Sequence, residues 1–176
     1  MPRKKQLRKI PELSADSTRF VEDLQKETDR GAALVAAAFA DNVLESMLRS
    51  FFVDDKKVMD GVLSPNGTGG TFSARIGLAY CLGLIGKQHL NDLSIMRKIR
   101  NEFAHLDRPV TFNMPRVRKL CGQLIAPQIL GLQGSSARDT FILSAVMVTT
   151  QLLLGGLLLK HRDVPKDFKL AKVVKA

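Results

Sequence analysis

Tryptophan is absent and tyrosine occurs once in 176 residues, so aromatics make up only 6% of the chain. Sheet folds lean on aromatic and β-branched residues in alternating runs, and such alternation is scarce here. Alanine, leucine and lysine abound instead, which points to helices. Cysteine is almost missing: Cys81 and Cys121 both lie in apolar helical patterns, with no Cys or His at metal-ligand spacing. A disulfide framework is thereby excluded, no metal or cofactor is expected, and two buried reduced thiols suit a cytoplasmic protein. The start of the chain lacks the apolar run of a signal peptide, because its basic residues lead into Pro11-Glu12. Acidic residues are also in short supply, 17 against 27 Lys and Arg, for a net charge of +10 and an isoelectric point of about 10.0. That imbalance suits a nucleic acid, an anionic membrane surface or an acidic protein partner.

What is present suits one domain. At 45% hydrophobic the chain can bury a core. The expected division is a basic flexible arm (1–12), a helical-bundle domain (13–162) and a basic tail (163–176) holding Lys166, Lys169, Lys172 and Lys175. Taken in order, Ser14 and Asp16 suit a helix start. A first helix carries Phe20, Val21 and Leu24, and Asp29 and Gly31 mark a break. A long helix follows over 32–52, apolar on every side in its first half and therefore central. A short helical piece is expected within 54–63, a loop at 64–70, and a helix over 72–85 stopped by Gly86. The Arg-rich helix spans 88–105. Asn113 reads as the N-cap of a helix running to Ile125 with Pro115 in its first turn, and 126–134 reads as a connector. Ser136 and Asp139 resemble a capping box opening a last helix that runs to about His161. The result is an all-α, single-domain bundle of about six helices, with 32–52, 72–85 and 141–159 at its centre.

The stretch 141–159 carries no charge and approaches the roughly 17–20 residues needed to span a bilayer. Ser144, Thr149, Thr150, Gln151, Gly155 and Gly156, with no aromatic belt, favour a buried core helix, and membrane association ranks as the third reading.

The polar chemistry concentrates in LSIMRKIRNEFAH, residues 93–105. Met96, Ile99 and Phe103 form an apolar seam. Beside it run Arg97, Arg100, Asn101 and His105, and Asn101, His105 and Arg108 share a face at i, i+4, i+7. Arg100 and His105 are five residues apart, about 140° round a regular helix. They converge only if the helix ends near Ala104, or if a second copy supplies its own across a two-fold axis. Converged, His105 would act as general base or acid on a ribose 2′-OH, Arg100 would stabilise the phosphorane-like transition state and Asn101 would orient them, without metal. The plainer reading is helix termination, with His105 answering the helix dipole. Arg75, early in an apolar helix, would reach a carboxylate such as Asp41, Glu45 or Glu102, or bind an anion. Gly67-Thr68-Gly69-Gly70-Thr71 lacks the preceding strand and following Lys of a phosphate-binding loop, so it reads as a connector capping the next helix. His89 and His161 read as surface residues. The helix from Asn113, with Arg116, Arg118 and Lys119, is the best candidate to meet nucleic acid, although no Gly turn makes it a helix-turn-helix. The arm residues Arg3, Lys4, Lys5, Arg8 and Lys9 would track phosphates without reading sequence.

Residues 70–85, with Gly70, Ser73, Arg75, Leu78, Tyr80, Leu82, Gly83 and Ile85 in the pattern G-x-x-S-x-R-x-x-L-x-Y-x-L-G-hydrophobic-I, resemble the bacterial mannitol operon repressor family. There this block precedes an R-x-x-x-x-H segment, matched here by Arg100 and His105, and the likeness covers roughly 34–124. It implies an all-helical transcriptional regulator, non-enzymatic, dimeric, and working through a protein partner or nucleic acid. Arg75, Arg97, Arg100, Asn101, His105 and Arg108 would then be the binding residues. The R-N-x-x-x-H string also resembles HEPN domains, helical bundles of which many are metal-independent RNases. In that alternative Arg100, Asn101 and His105 are catalytic. The uncharged helix at 141–159 and the basic arm depart from the repressor pattern and set a mannitol-specific role apart from the shared fold.

Overall fold

The computed structural model describes residues 19–105, 109–129 and 136–166. Its architecture is set by the alanine-rich stretch. The Thr28 hydroxyl accepts from the Gly31 N–H and Asp29 sits in the first turn, so α2 (Asp29–Phe51) starts with both a side-chain cap and a carboxylate at its positive end. The break expected at Asp29 and Gly31 therefore falls one residue earlier, at Thr28. Ala32, Ala33, Ala36, Ala37 and Ala40 are all buried. With only methyl groups on that buried face, neighbouring backbones can come close. Before it, the helical residues 19–26 (α1) bury Leu24 completely and set the Phe20 ring 4.4 Å from that of Phe39.

The remaining helices are α3 (Lys56–Leu63), α4 (Phe72–Cys81), α5 (Lys87–Ala104), α6 (Pro115–Cys121), α7 (Ala126–Ile129) and α8 (Ala137–Leu157). The described residues contain no strand, so the all-α bundle expected from composition is the fold. α2 packs on α8, α5 and α4, and α8 also meets α5, α6 and α7. α2 and α8 run parallel. Arg138 at the start of α8 pairs with Asp29 at the start of α2 at 2.6 Å, while Met47 near the end of α2 lies against Gly155 near the end of α8. The Arg138 guanidinium also donates to the carbonyls of Leu24, Gln25 and Glu27, and Asp29 accepts from the Phe112 N–H. One charged pair thus ties α1, α2, α8 and the approach to α6 together.

Several boundaries differ from expectation, each for a local reason. The fourth helix ends at Cys81 rather than at 85. Gly83 adopts φ +70, the Leu84 N–H bonds to the Ala79 carbonyl and the Gly83 N–H to that of Tyr80. That is a Schellman ending, which needs a residue at ease in the left-handed region. Gly86 then serves as N-cap of α5. Shortened in this way, α4 buries only Arg75, Ile76 and Ala79, whereas α5 buries Leu93, Ile95, Met96, Ile99 and Phe103. α5, not the 72–85 helix, therefore stands with α2 and α8 at the centre. Met114 rather than Asn113 is the N-cap of α6, which stops at Cys121 instead of reaching Ile125. The expected connector contains the turn of helix α7. Ser136 caps the last helix as expected, with its hydroxyl accepting from the Asp139 N–H and donating to the Asp139 carboxylate, and that helix stops at Leu157.

By length and composition α2 and α8 are each apolar enough to cross a membrane. In the bundle, α8 buries Phe141, Ile142, Ser144, Ala145, Val148, Thr149 and Leu152 against its neighbours and turns Leu154, Leu157 and Leu158 outward. The buried hydroxyls of Ser144 and Thr149 donate back to the Thr140 and Ala145 carbonyls one turn earlier, which satisfies them without a partner helix.

The two thiols part company. Cys121 is buried, as expected, and burial pushes its pKa up to about 12. Cys81 is exposed, because the short α4 turns its last residue outward. A thiol-disulfide reagent should therefore modify one cysteine in the native protein, Cys81, and reach Cys121 only at the rate of unfolding. The pH dependence follows from the raised thiol. Its neutral form is favoured in the fold, so this contribution to stability is complete below the ordinary thiol value near 9.0 and drains away as pH climbs toward about 12. Urea midpoints measured across that range should fall less in Cys121→Ala than in the wild type.

Candidate functional site

α5 has two faces. Its buried seam of Met96, Ile99 and Phe103 anchors it in the core, and the helical period places Arg97, Lys98, Asn101 and Glu102 on a separate stripe. Arg116, Lys119 and Leu120 on α6, with Gln123 just beyond it, recur at three- and four-residue steps and face that stripe. α6 packs on both α5 and α8 and buries Val117 and Cys121. Between them lies an open cleft of about 460 Å³, lined by these eight residues.

Among the described lining residues charge is lopsided, with four cations against one carboxylate. Glu102, its side chain 13% exposed, bonds the guanidinium of Arg116, 75% exposed, at 2.9 Å. Among the described residues no ion pair engages Arg97, Lys98 or Lys119. Like charges held this close raise the local potential and draw in anions. The structure thus brings together Arg97 and Asn101 from the R-N-x-x-x-H segment with Arg116 and Lys119 from the helix read as a nucleic-acid candidate. Arg118 is exposed on α6 outside the lining. Arg108 and the arm residues Arg3, Lys4, Lys5, Arg8 and Lys9 lie outside the described residues.

Arg100 and His105, the rest of the R-N-x-x-x-H string, are not among the lining residues. Arg100 donates to the Asn101 side-chain oxygen at 3.1 Å, and both are exposed. α5 ends at Ala104, and His105 leaves it in extended conformation with an exposed ring while its carbonyl accepts from Arg30 at 2.9 Å. Among the described residues no hydrogen bond joins His105 to Arg100 or Asn101. Of the other histidines, His161 is exposed as expected and His89 is half-buried. His89 Nε2 meets the Gln151 side-chain oxygen at 2.7 Å, and His161 Nδ1 donates to the Phe52 carbonyl at 2.8 Å.

Arg75 stands elsewhere, and its donors are taken up by the fold. Its guanidinium bonds Asp41 and Glu45 at 2.8 Å each, the Leu63 carbonyl at 2.9 Å and the Gly69 carbonyl at 3.1 Å. Glu45 is shared with Arg49, which also holds Asp60. The glycine loop wraps this group. Gly67, Gly69 and Gly70 donate their N–H groups to carbonyls of Ser64, Val62 and Gly67, and Thr71 caps α4. A Cβ on Gly70 would collide with the Ser64 carbonyl oxygen. Those amides are spent within the loop, so it is the connector and cap its sequence suggests. Among the described residues no group of three or more His, Cys, Asp or Glu side chains is placed to hold a metal ion.

Sequence reading missed Lys98, Glu102 and Gln123 in the cleft. The i, i+4 relation of Lys98 to Glu102 was a visible signal; the pairing of Glu102 with Arg116 was not, because it depends on how the chain turns between the two helices.

No protein-family model matches the chain, and no curated protein does. Among solved structures, it is similar to a chain in the X-ray structure of the MtlR-HPr complex from Escherichia coli, with a TM-score of 0.63 and 21% identity. The match covers 79% of this chain and 99% of that one. At that identity the likeness is one of fold.

Proposed function

We propose that this chain is a non-enzymatic regulator that works by docking a protein partner on its α5–α6 face. The observation that carries the reading is the open cleft, where rigid helices present Arg97, Lys98 and Lys119 without an ion pair among the described residues. Support comes from the fold, which it shares with a chain from a complex named for MtlR and HPr. Transcriptional control of the mannitol-repressor kind, a homodimeric state and a cytoplasmic setting belong to the same proposal. An RNase would need the His105 ring and the Arg100 guanidinium at one phosphate, and among the described residues no hydrogen bond unites them. Prolonged incubation with RNA in EDTA is expected to leave the RNA intact.

Calorimetric titration with purified HPr tests the docking. Binding is expected to weaken steeply with salt. Charge reversal in Arg97→Glu and Lys119→Glu should each weaken it about tenfold, equivalent to about 1.4 kcal/mol. Binding that ignores both reversals would move the docking surface elsewhere, and no binding at low salt would remove HPr as the partner.

A further inference from the structure

We propose that the α5–α6 cleft is by itself a binding site for a small, multiply charged phosphate ligand. The proposal goes beyond the docking reading and stands without it; only its regulatory consequence, competition with the partner, rests on that reading.

Size and shape come first. About 460 Å³ falls within the roughly 300–1,000 Å³ of small-ligand sites. It is a concavity between two helices rather than a flat track for a polymer. The donors come next. Two guanidiniums offer planar forks that match phosphate oxygens in pairs, and two ammoniums add compact charge. Asn101 is already oriented: its side-chain oxygen accepts from Arg100, which leaves the Nδ2 amide as the end that donates to a ligand.

The lining also says what the ligand is not. Among the described residues Leu120 is its one apolar member and no aromatic residue contributes. A nucleobase would find no ring to stack on, and stacking is a main source of affinity for single-stranded nucleic acid. Phosphate groups are therefore the recognised part, and a compact ligand such as a pyrophosphate or a bisphosphorylated sugar fits better than RNA.

Glu102 sets the charge threshold. Its carboxylate already satisfies Arg116 at 2.9 Å from a largely buried position. A singly charged anion entering the cleft gains little over this resident one. A ligand with two or more charges can engage Arg97, Lys98 and Lys119 together and draw Arg116 as well. The cleft thus discriminates by valence, with Glu102 as an internal competitor.

The test is calorimetric titration of the full chain with sodium pyrophosphate at low ionic strength, without magnesium and without a protein partner. One site is expected. Arg97→Gln and Lys119→Gln should each weaken binding at least fivefold, whereas Glu102→Gln should tighten it severalfold. Chloride and acetate at the same ionic strength should not compete. Broadening of the pyrophosphate ³¹P resonance by the unaltered protein gives a readout that needs no variant. Absence of both heat and broadening at millimolar pyrophosphate would overturn the proposal. So would affinity unchanged in both Gln variants, or an RNA oligomer binding through Arg97 and Lys119 far more tightly than pyrophosphate. A separate titration with HPr keeps the two readings apart. HPr bound without pyrophosphate binding ends only the ligand proposal, and the reverse ends only the docking one.

Discussion

Replacing Arg75 with alanine is expected to lower stability by about 3 kcal/mol, the lower end of the roughly 3–5 kcal/mol lost when one partner of a buried ion pair is removed. The lower end applies because Asp41 and Glu45 keep 25% and 27% side-chain exposure, so water can partly resolvate them. Glu45 also retains Arg49. The carbonyls of Leu63 and Gly69 lose a charged donor at the same time, which loosens the 64–70 loop over α4. For a chain of this length the melting temperature should fall by roughly 6–12 °C. Arg75→Lys should recover less than half of the loss, because one ammonium cannot span acceptors on α2, the end of α3 and the loop. Urea unfolding of both variants measures the effect. A loss below about 1 kcal/mol, the range of a surface pair, would mean that the guanidinium is not the clamp its contacts describe. The sequence offers Arg75 both a carboxylate partner and a place among binding residues; its four acceptors tie α2, α3 and α4 together.

Arg75 shows what was legible and what was not. Its pairing with Asp41 or Glu45 was foreseeable, because a charge on an apolar helix needs a carboxylate and the adjacent helix offered two. The seam of Met96, Ile99 and Phe103 was equally plain, since a 3.6-residue period dictates which side chains turn inward. Capping at Ser136 is local chemistry and read correctly. The misreadings came where two residues competed for one job. Gly83 and Gly86 could each end α4, and the choice depended on which took the left-handed conformation. Contacts between distant segments were invisible: Arg138 finds Asp29 across 109 residues only after α2 and α8 lie parallel. The cleft belongs to this class too, because its two stripes are separate patterns until the core draws α6 onto α5.

Phe103→Ala is expected to be the most destabilising single truncation in the R-N-x-x-x-H segment, at about 4 kcal/mol within the roughly 3–5 kcal/mol for Phe-to-Ala in a core. Its side chain is fully buried, and its ring centre lies 4.9 Å from that of Phe112, which in turn lies 5.3 Å from Phe141. This aromatic row joins α5, the approach to α6 and α8, so the cavity opens where three segments meet and cannot close by the shift of one. Phe103→Leu should keep most of the volume and cost about 1.5 kcal/mol. Urea unfolding separates the two, and hydrogen exchange should show the amides of the last turn of α5 losing protection first in Phe103→Ala. Equal stability of the alanine and leucine variants would show that the row collapses around the gap. The same turn of helix turns Asn101 and Glu102 outward to the cleft and Phe103 inward, so core and site can be perturbed one at a time. Phe103→Leu, still folded, should bind pyrophosphate and HPr as the wild type does, while Lys119→Glu should unfold like the wild type and bind weakly. If the leucine variant instead lost binding without losing stability, the cleft would depend on the exact pitch of α5, and the separation of fold from site along this helix would fail.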